Sequence, residues 1–452
     1  MGHNPKIKQF MWIIYVITII YLIYYTYNTG LFYHWRLWKY NRTVPPILDE
    51  LHMTHNSSPE HAGSQGPYTQ RPYAFLAAVK GTKTVLISAY LEHRTDKKEV
   101  CAIAVVLRSE KVAYRCVFRC QEKQLLSNGV ADIYTHHFGF AYGTANIMCP
   151  LPSGYDPNQE FLEVKNQQEK TESFPYNFTV CISTMFDFTN VLQLVQSLEM
   201  LQLLGVNRVV VYKTSCSPET QRILDYYTQK GLLEVIPWSL SRYVNVSRGW
   251  LPEHGPGELH YFGQIPALND CLYRYMYQSR YVALHDIDEL ILPQKVISWV
   301  ELLPLLENQY GANKCYMFEN NVFPINVMLA PPASQSLPPQ TDWKNVTGVN
   351  ILAHLYQEPI IEETHYSNFK IIVNPRAVFA TTVHGVLKSQ HGCSWIDRNI
   401  ARMYHTRFPR QPNLAKDKLI YDGRLLSYSA HFTPAVNKVL RETGFLPEHS
   451  TQ

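Results

Sequence analysis

An alternation of strand-like and helix-like runs between residues 178 and 284 constrains this chain more than any other feature. Phe178-Thr-Val-Cys-Ile-Ser183 is a short β-forming run. Val191, Leu194, Val195, Leu198, Leu201 and Leu204 then recur at the spacing of an amphipathic helix, which Gly205 stops. Arg208-Val-Val-Val-Tyr212 predicts a second strand, Ser217 to Lys230 a second helix ended by Gly231, and Leu232-Leu-Glu-Val-Ile-Pro237 a third strand. Short connections between such runs imply right-handed crossovers and a parallel sheet. Such sheets bind nucleotides at the carboxyl ends of their strands. After the Gly/Pro-rich residues 252–257, Phe262 to Ser279 reads as a further helix.

That helix feeds Tyr281-Val-Ala-Leu-His-Asp-Ile-Asp-Glu-Leu-Ile-Leu-Pro293, an apolar strand with two aspartates where it ends. In extended backbone, alternate side chains share a face, so Asp286 and Asp288 are expected together and Ile287 opposite. Paired carboxylates suit a hard cation such as Mg²⁺ or Mn²⁺, which takes its other ligands from substrate phosphates. A nucleotide diphosphate-sugar is the substrate this suggests. A bare D-x-D also arises by chance as a solvated turn, and its position after a buried strand is what favours the metal reading.

The chain has 452 residues, 46% hydrophobic and 17% charged, which excludes a largely disordered protein. A formal net charge of +4 gives no argument for nucleic acid. From Phe10 to Tyr33 no residue is charged, a length that spans a bilayer as a helix. Lys6 and Lys8 precede it and Arg36 and Lys39 follow. The short tail, residues 1–9, favours a type II signal anchor over a cleaved signal peptide. The rest is then expected in the lumen, where sequons at Asn41, Asn56, Asn177, Asn245 and Asn345 fit glycosylation. All nine cysteines follow the anchor; some should pair, and the odd number leaves at least one over.

Residues 34–70 read as a stem or linker. Residues 71–170 carry short β-forming runs, Thr84 to Tyr90 and Val100 to Leu107, and predict an accessory β-rich module. Residues 171–452 are expected to form the catalytic α/β domain.

Phe178-Thr-Val-Cys-Ile-Ser183, Leu204-Gly-Val-Asn-Arg-Val-Val-Val-Tyr212, Gly263-Gln264 with Ala267-Leu-Asn-Asp-Cys271, and Asp286-Ile-Asp-Glu289 with Pro293 together resemble glycosyltransferase family 92. The likeness runs over about residues 175–410. It implies a GT-A-type fold with a Rossmann-like, mostly parallel sheet, and a Mn²⁺-dependent inverting hexosyltransferase. The implied enzyme moves galactose from UDP-galactose in β1,4 linkage onto terminal β-galactose, or onto the core fucose of N-glycans. It also implies a single-pass type II protein of the Golgi membrane, with its acceptor on a glycoprotein or glycolipid. Whether the anchor supports a homodimer stays open.

Under this resemblance, Asp288 is expected to hold the metal and Asp286 the ribose or the metal through water. His384 and His405 resemble the family's histidine motifs and are candidate metal ligands. Gln264, Asn269 and Asp270 are candidates for nucleotide-sugar contact, with helix capping and packing as the alternative. Inversion requires a base for the acceptor hydroxyl, for which Glu319, Glu362 and Glu363 are candidates. Two other classes fit part of the pattern: a lumenal lectin-like glycan-binding protein, and a metal-dependent nucleotide-sugar hydrolase. No Walker loop and no G-x-G-x-x-G stands where a strand meets a helix.

Overall fold

The computed structural model describes residue 18 and residues 76–447, except 93, 121–122, 153–163, 166–172 and 333–340. The uncharged run 10–33 lies outside the described residues apart from Thr18, as do Asn41 and Asn56. Among the described residues no helix is long and apolar enough to cross a membrane.

The first sheet contains β1 (Ala77–Ala78), β2 (Val85–Glu92), β3 (Glu99–Leu107), β4 (Tyr114–Cys120), β5 (Lys123–Ile133), β6 (Tyr142–Pro150) and β7 (Val164–Lys165). Its order is β1-β2-β3-β6-β5-β4, with β7 pairing β2 in parallel and every other pair antiparallel. A disulfide joins Cys116 on β4 to Cys149 on β6.

The second sheet begins with β8 (Tyr176–Met185), helix α1 (Val191–Leu203), β9 (Arg208–Lys213), α2 (Pro218–Gln229) and β10 (Leu233–Pro237). Each start and stop has a local cause. Asn190 and Ser217 cap the two helices by accepting backbone N–H bonds from Gln193 and Thr220, and Pro218 occupies the first turn of α2, where a missing donor is harmless. Gly205 and Gly231 leave the helices at φ +97° and +79°, a region that favours glycine. β9 is a β-branched run with five successive buried residues, as a strand covered on both faces requires. The structure differs from expectation at α1. Gln193, Gln196, Ser197 and Glu199 are buried as well as Leu194, Leu198 and Leu201, because α1 lies between this sheet and the C-terminal helix.

Next come α3 (Gln264–Arg274), β11 (Ser279–Leu284), β12 (Glu289–Pro293), α4 (Trp299–Tyr310), β13 (Cys315–Pro324), β14 (Tyr356–Gln357) and β15 (Phe369–Val373). The chain ends with β16 (Val378–Thr382), β17 (Gly385–Ser389), β18 (Cys393–Trp395), β19 (Ala401–Arg407), β20 (Ile420–Tyr421) and α5 (Ser429–Glu442). The large sheet runs β10-β9-β8-β11-β15-β13-β19-β12, with β18 beside β13. β10, β9, β8 and β11 are parallel, and β15 is antiparallel to both of its neighbours. The four parallel strands are those the alternation predicts; beyond β11 the sheet turns mixed, and the whole is a mixed α/β fold.

Two sequence boundaries move. The helix predicted to Ser279 ends at Arg274, and Ser279 already pairs with Tyr176 across β11 and β8. The apolar strand that opens the stretch Tyr281 to Pro293 ends at Leu284, short of the aspartates, and a second strand, β12, follows them and joins β19. Residues 71–452 form one compact unit. Within it, Val85, Ile87, Ile103 and Val105 of the first sheet share a core with Ala267, Leu268 and Leu272 of α3.

Candidate active site

Between β11 and β12 the chain turns at His285-Asp286-Ile287-Asp288, at the carboxyl end of the parallel strands. The turn is closed locally. Glu289 accepts the Asp286 backbone N–H with its carboxylate at 2.7 Å, and its own N–H bonds Asp286 O at 3.2 Å. The expected alternation of the two aspartates therefore gives way to a turn, yet both carboxylates still face one cavity. That cavity is about 960 Å³. Thr406 fixes the far side of the turn by donating its N–H to Asp288 O at 2.9 Å.

Lys370 holds the first aspartate. It lies one step beyond the Leu284–Ile371 pair of β11 and β15, so the register delivers its side chain to the turn. Its ammonium, 3% exposed, is 2.9 Å from Asp286 and 3.2 Å from Glu289. Asp286 also accepts from Ser183 Oγ at 2.9 Å and Gln264 Nε2 at 3.4 Å. Burial alone would raise the Asp286 pKa; Lys370, Ser183 and His405 overcome it and hold the group down at about 2. Burial raises Glu289, against the pull of Lys370 and His405.

His405 faces the second aspartate. The register pairs it with Glu289 across β19 and β12, and Nε2 lies 3.2 Å from Asp288 Oδ2 while Nδ1 lies 3.5 Å from Glu289 Oε1. Burial opposes its charge, but Asp288 and Glu289 raise its pKa. Asp288 itself keeps 37% of its side chain exposed to the cavity. Among the described residues no three His, Cys, Asp or Glu side chains converge as a complete metal shell.

His384 sits in the β16–β17 turn and lines the same cavity, with its ring 5.6 Å from Trp250. Its Nδ1 is 3.3 Å from Phe369 O, so Nδ1 carries the proton of the neutral ring. Burial and the nearby Lys370 lower its pKa to about 4.

Other candidates take different places. Gln264 lines the cavity, 2.7 Å from Ser183 Oγ, and its buried Oε1 has no hydrogen-bond partner. Asn269 and Asp270 do not line the cavity and sit buried in the packing around α3. Asn269 bonds Thr381 through both its amide atoms, at 2.8 and 3.0 Å, and accepts from Tyr134 at 3.2 Å. Asp270, fully buried, accepts from Tyr90 and Tyr212 at 2.6 Å each and from Arg274 at 2.8 Å. None of the three candidate bases lines the cavity. Glu319 is buried against Arg398 and His365, at 3.5 and 3.6 Å, and Glu362 and Glu363 are exposed on a short 3₁₀ turn. Asn177, Asn245 and Asn345 are exposed. Ser183 closes a motif of the resemblance without being marked there as a site residue, and a lone lysine opening the buried run Lys370-Ile-Ile-Val373 is the one signal that marks Lys370.

Comparison with known proteins adds a lineage. A glycosyltransferase family 92 protein of Caenorhabditis elegans is 30% identical over 127 residues, which cover 28% of this chain and 25% of that protein. The beta-1,4-galactosyltransferase galt-1 of C. elegans is 23% identical over 169 residues, covering 32% of this chain and 37% of that one. The chain thus matches between about a quarter and somewhat over a third of the length of these curated relatives. Among solved structures, Staphylococcus aureus TarS aligns with TM-score 0.27 and 13% identity, over 51% of this chain and 36% of that one. The sequence model of Glycosyltransferase family 92 matches residues 176–442, from the first residue of β8 to the last of α5. With more than half its length inside that match, this chain belongs to glycosyltransferase family 92.

Proposed function

We propose that the protein is a UDP-galactose-dependent hexosyltransferase of GT-A type, inverting and forming a β1,4 linkage on a glycan that ends in β-galactose or bears core fucose. One observation carries the reading: Asp286 and Asp288 sit together at the carboxyl edge of four parallel strands, on the floor of a cavity large enough for a nucleotide-sugar, with His405 facing Asp288. Asp288, part exposed to the cavity, and His405 beside it are two donors on the cavity lining. That suits a Mn²⁺ or Mg²⁺ ion whose remaining ligands are diphosphate oxygens and water. When bound, the ion supplies positive charge for the leaving diphosphate.

The chain's own residues do the rest. Lys370 and Ser183 fix Asp286 as an acceptor for ribose hydroxyls. Arg407 and Arg410, both on the cavity lining and exposed, meet phosphate oxygens. Gln264 Oε1 offers a buried acceptor to a hydroxyl of the donor. The acceptor hydroxyl attacks the anomeric carbon opposite the departing UDP and loses its proton to a base. The uncharged run 10–33, three disulfides among the described residues and the exposed sequons support a lumenal domain on a type II anchor in the Golgi membrane.

The test is to incubate the purified full-length protein with a panel of UDP-sugars, with and without Mn²⁺ and acceptors ending in β-galactose or core fucose. UDP release from UDP-galactose that requires both metal and acceptor is expected. Asp288→Ala should abolish it while leaving the yield of folded protein unchanged. UDP release that ignores the acceptor would favour a hydrolase, and no donor consumption with any sugar would sink the enzyme reading.

A further inference from the structure

One wall of the cavity is aromatic, and its rings touch in a fixed order. Phe186 meets Tyr261 at 5.8 Å between centroids, Tyr261 meets Trp250 at 5.7 Å, and Trp250 meets Phe138 at 5.2 Å. All four line the cavity and are partly exposed to it. The order has a direction. Phe186 follows β8 at the carboxyl end of the parallel strands, where a nucleotide belongs. Tyr261 stands in the middle, close enough to Asp286 and Asp288 for burial and both carboxylates to raise its pKa. Trp250 and Phe138 lie beyond it, and neither comes from the large sheet: Phe138 is in the β5–β6 loop of the first sheet and Trp250 in the loop before α3.

This far end is built rather than loose. Phe138, Tyr261 and Phe262 adopt φ of +51°, +29° and +53°, a region that bulky residues enter only when their surroundings force them. His260, 3% exposed, stacks on Phe138 at 4.2 Å and packs edge-on to Trp250 at 4.7 Å, so it braces both rings from behind. Tyr134, Ile265, Ala380 and Val383 form an apolar floor on which Phe138 and Trp250 rest.

We infer that Trp250 and Phe138 form the subsite for the acceptor sugar, so that a loop of the accessory sheet takes part in choosing the acceptor. The inference rests on the transferase reading above. A pyranose ring has one face of C–H bonds, and such a face packs on the electron-rich face of an aromatic ring while its hydroxyls seek polar partners at the edge. His384, in contact with Trp250, supplies a neutral ring nitrogen at that edge. A terminal β-galactoside is the ligand class that fits: its axial hydroxyl leaves one face of the ring largely C–H.

The test separates saccharide binding from nucleotide binding in the full-length protein. Saturation-transfer NMR with β-galactosyl disaccharides and a core-fucosylated glycan, in the presence of UDP and Mn²⁺, should show contact with the sugar ring. Trp250→Ala and Phe138→Ala should each weaken saccharide binding roughly tenfold or more, about 1.4 kcal/mol, while UDP affinity stays within twofold. Trp250→Phe should recover part of the loss, which a merely structural role would not predict. Saccharide affinity unchanged in both alanine variants would overturn the subsite, as would an equal loss of UDP affinity or no saccharide bound by the wild type. If saccharides bind and the variants lose them while no donor is consumed, the subsite stands and the transferase reading falls.

Discussion

Lys370 shows what a single residue contributes to this site. Its ammonium is buried between Asp286 and Glu289, so removing it leaves two carboxylates sharing one low-dielectric space. Breaking a buried ion pair from one side typically costs about 3–5 kcal/mol. Lys370→Met is expected to lower stability by about that amount, read as a drop in the denaturation midpoint. Adding Glu289→Gln should restore part of it, because the two residues share one network. Equal stability in wild type and Lys370→Met would refute the role. His260 gives a prediction in pH. Burial and nearby His384 depress its pKa to about 3, whereas an unfolded histidine titrates near 6.5. The unfolded chain therefore binds the extra proton between these values, so this contribution is fully present above about pH 6.5 and is lost as pH falls toward 3. His260→Phe should flatten the stability profile by up to about 1.4 kcal/mol per pH unit there; a slope identical to that of the wild type would count against it. The sequence made Asp286 and Asp288 legible as carboxylates after a buried strand, and His405 only through its likeness to the family's histidine motifs. It did not reveal Lys370 or the aromatic wall, whose partners come from strands and loops far apart in the chain.

Among the elements, α3 decides how the site is held. It carries Gln264 into the cavity at its first residue, and it anchors the helix at Asp270 through Tyr90, Tyr212 and Arg274. The disulfide Cys181–Cys271 ties the same helix to β8, closing a loop of 90 residues. From sequence, Asn269 and Asp270 read equally as ligand contacts or as packing, because the partners they take, Tyr134 just after β5 and Tyr90 on β2, lie far away in the chain. Helix spacing predicted that α3 exists but not what faces it. Asp270→Ala should strand the Arg274 guanidinium in the core and cost about 3–5 kcal/mol. UDP affinity of the fraction that folds should be unchanged, measured by calorimetry below the unfolding transition. A variant of normal stability with weakened UDP binding would return Asp270 to the nucleotide site. Cys271→Ser tests the second anchor: a cross-link over a loop of this length contributes about 4.6 kcal/mol in the chain-entropy account, visible as the gap between its unfolding midpoint and that of the wild type.

At the scale of the molecule, two sheets share one helix. The change of rhythm near residue 170 is plain in sequence, since β runs give way to strand–helix alternation there. Composition cannot show that both parts close over α3, because contact between residues nearly 200 positions apart leaves no local trace. Yet Ala267, Leu268 and Leu272 lie in one buried cluster with Val85, Ile87, Ile103 and Val105. Arg94, from the first sheet, reaches Val378 O and lies 4.6 Å above the Tyr273 ring. Removing the first sheet would bare an apolar helix face, take Tyr90 from Asp270 and delete Phe138 from the cavity wall. Each fully buried leucine or valine so exposed forfeits about 1.5–3 kcal/mol, and a domain's whole stability is only about 5–15 kcal/mol. A chain lacking residues 71–152 is therefore expected not to reach a cooperative fold, and to be retained or aggregated on expression. Leu268→Ala in the intact chain should cost about 2–5 kcal/mol through the same interface. The decisive comparison is the thermal unfolding of the shortened chain. A single sharp transition at the wild-type midpoint, with UDP binding intact, would mean that the large sheet folds alone and that the first sheet is an appendage; a broad or absent transition means that both sheets are parts of one folding unit.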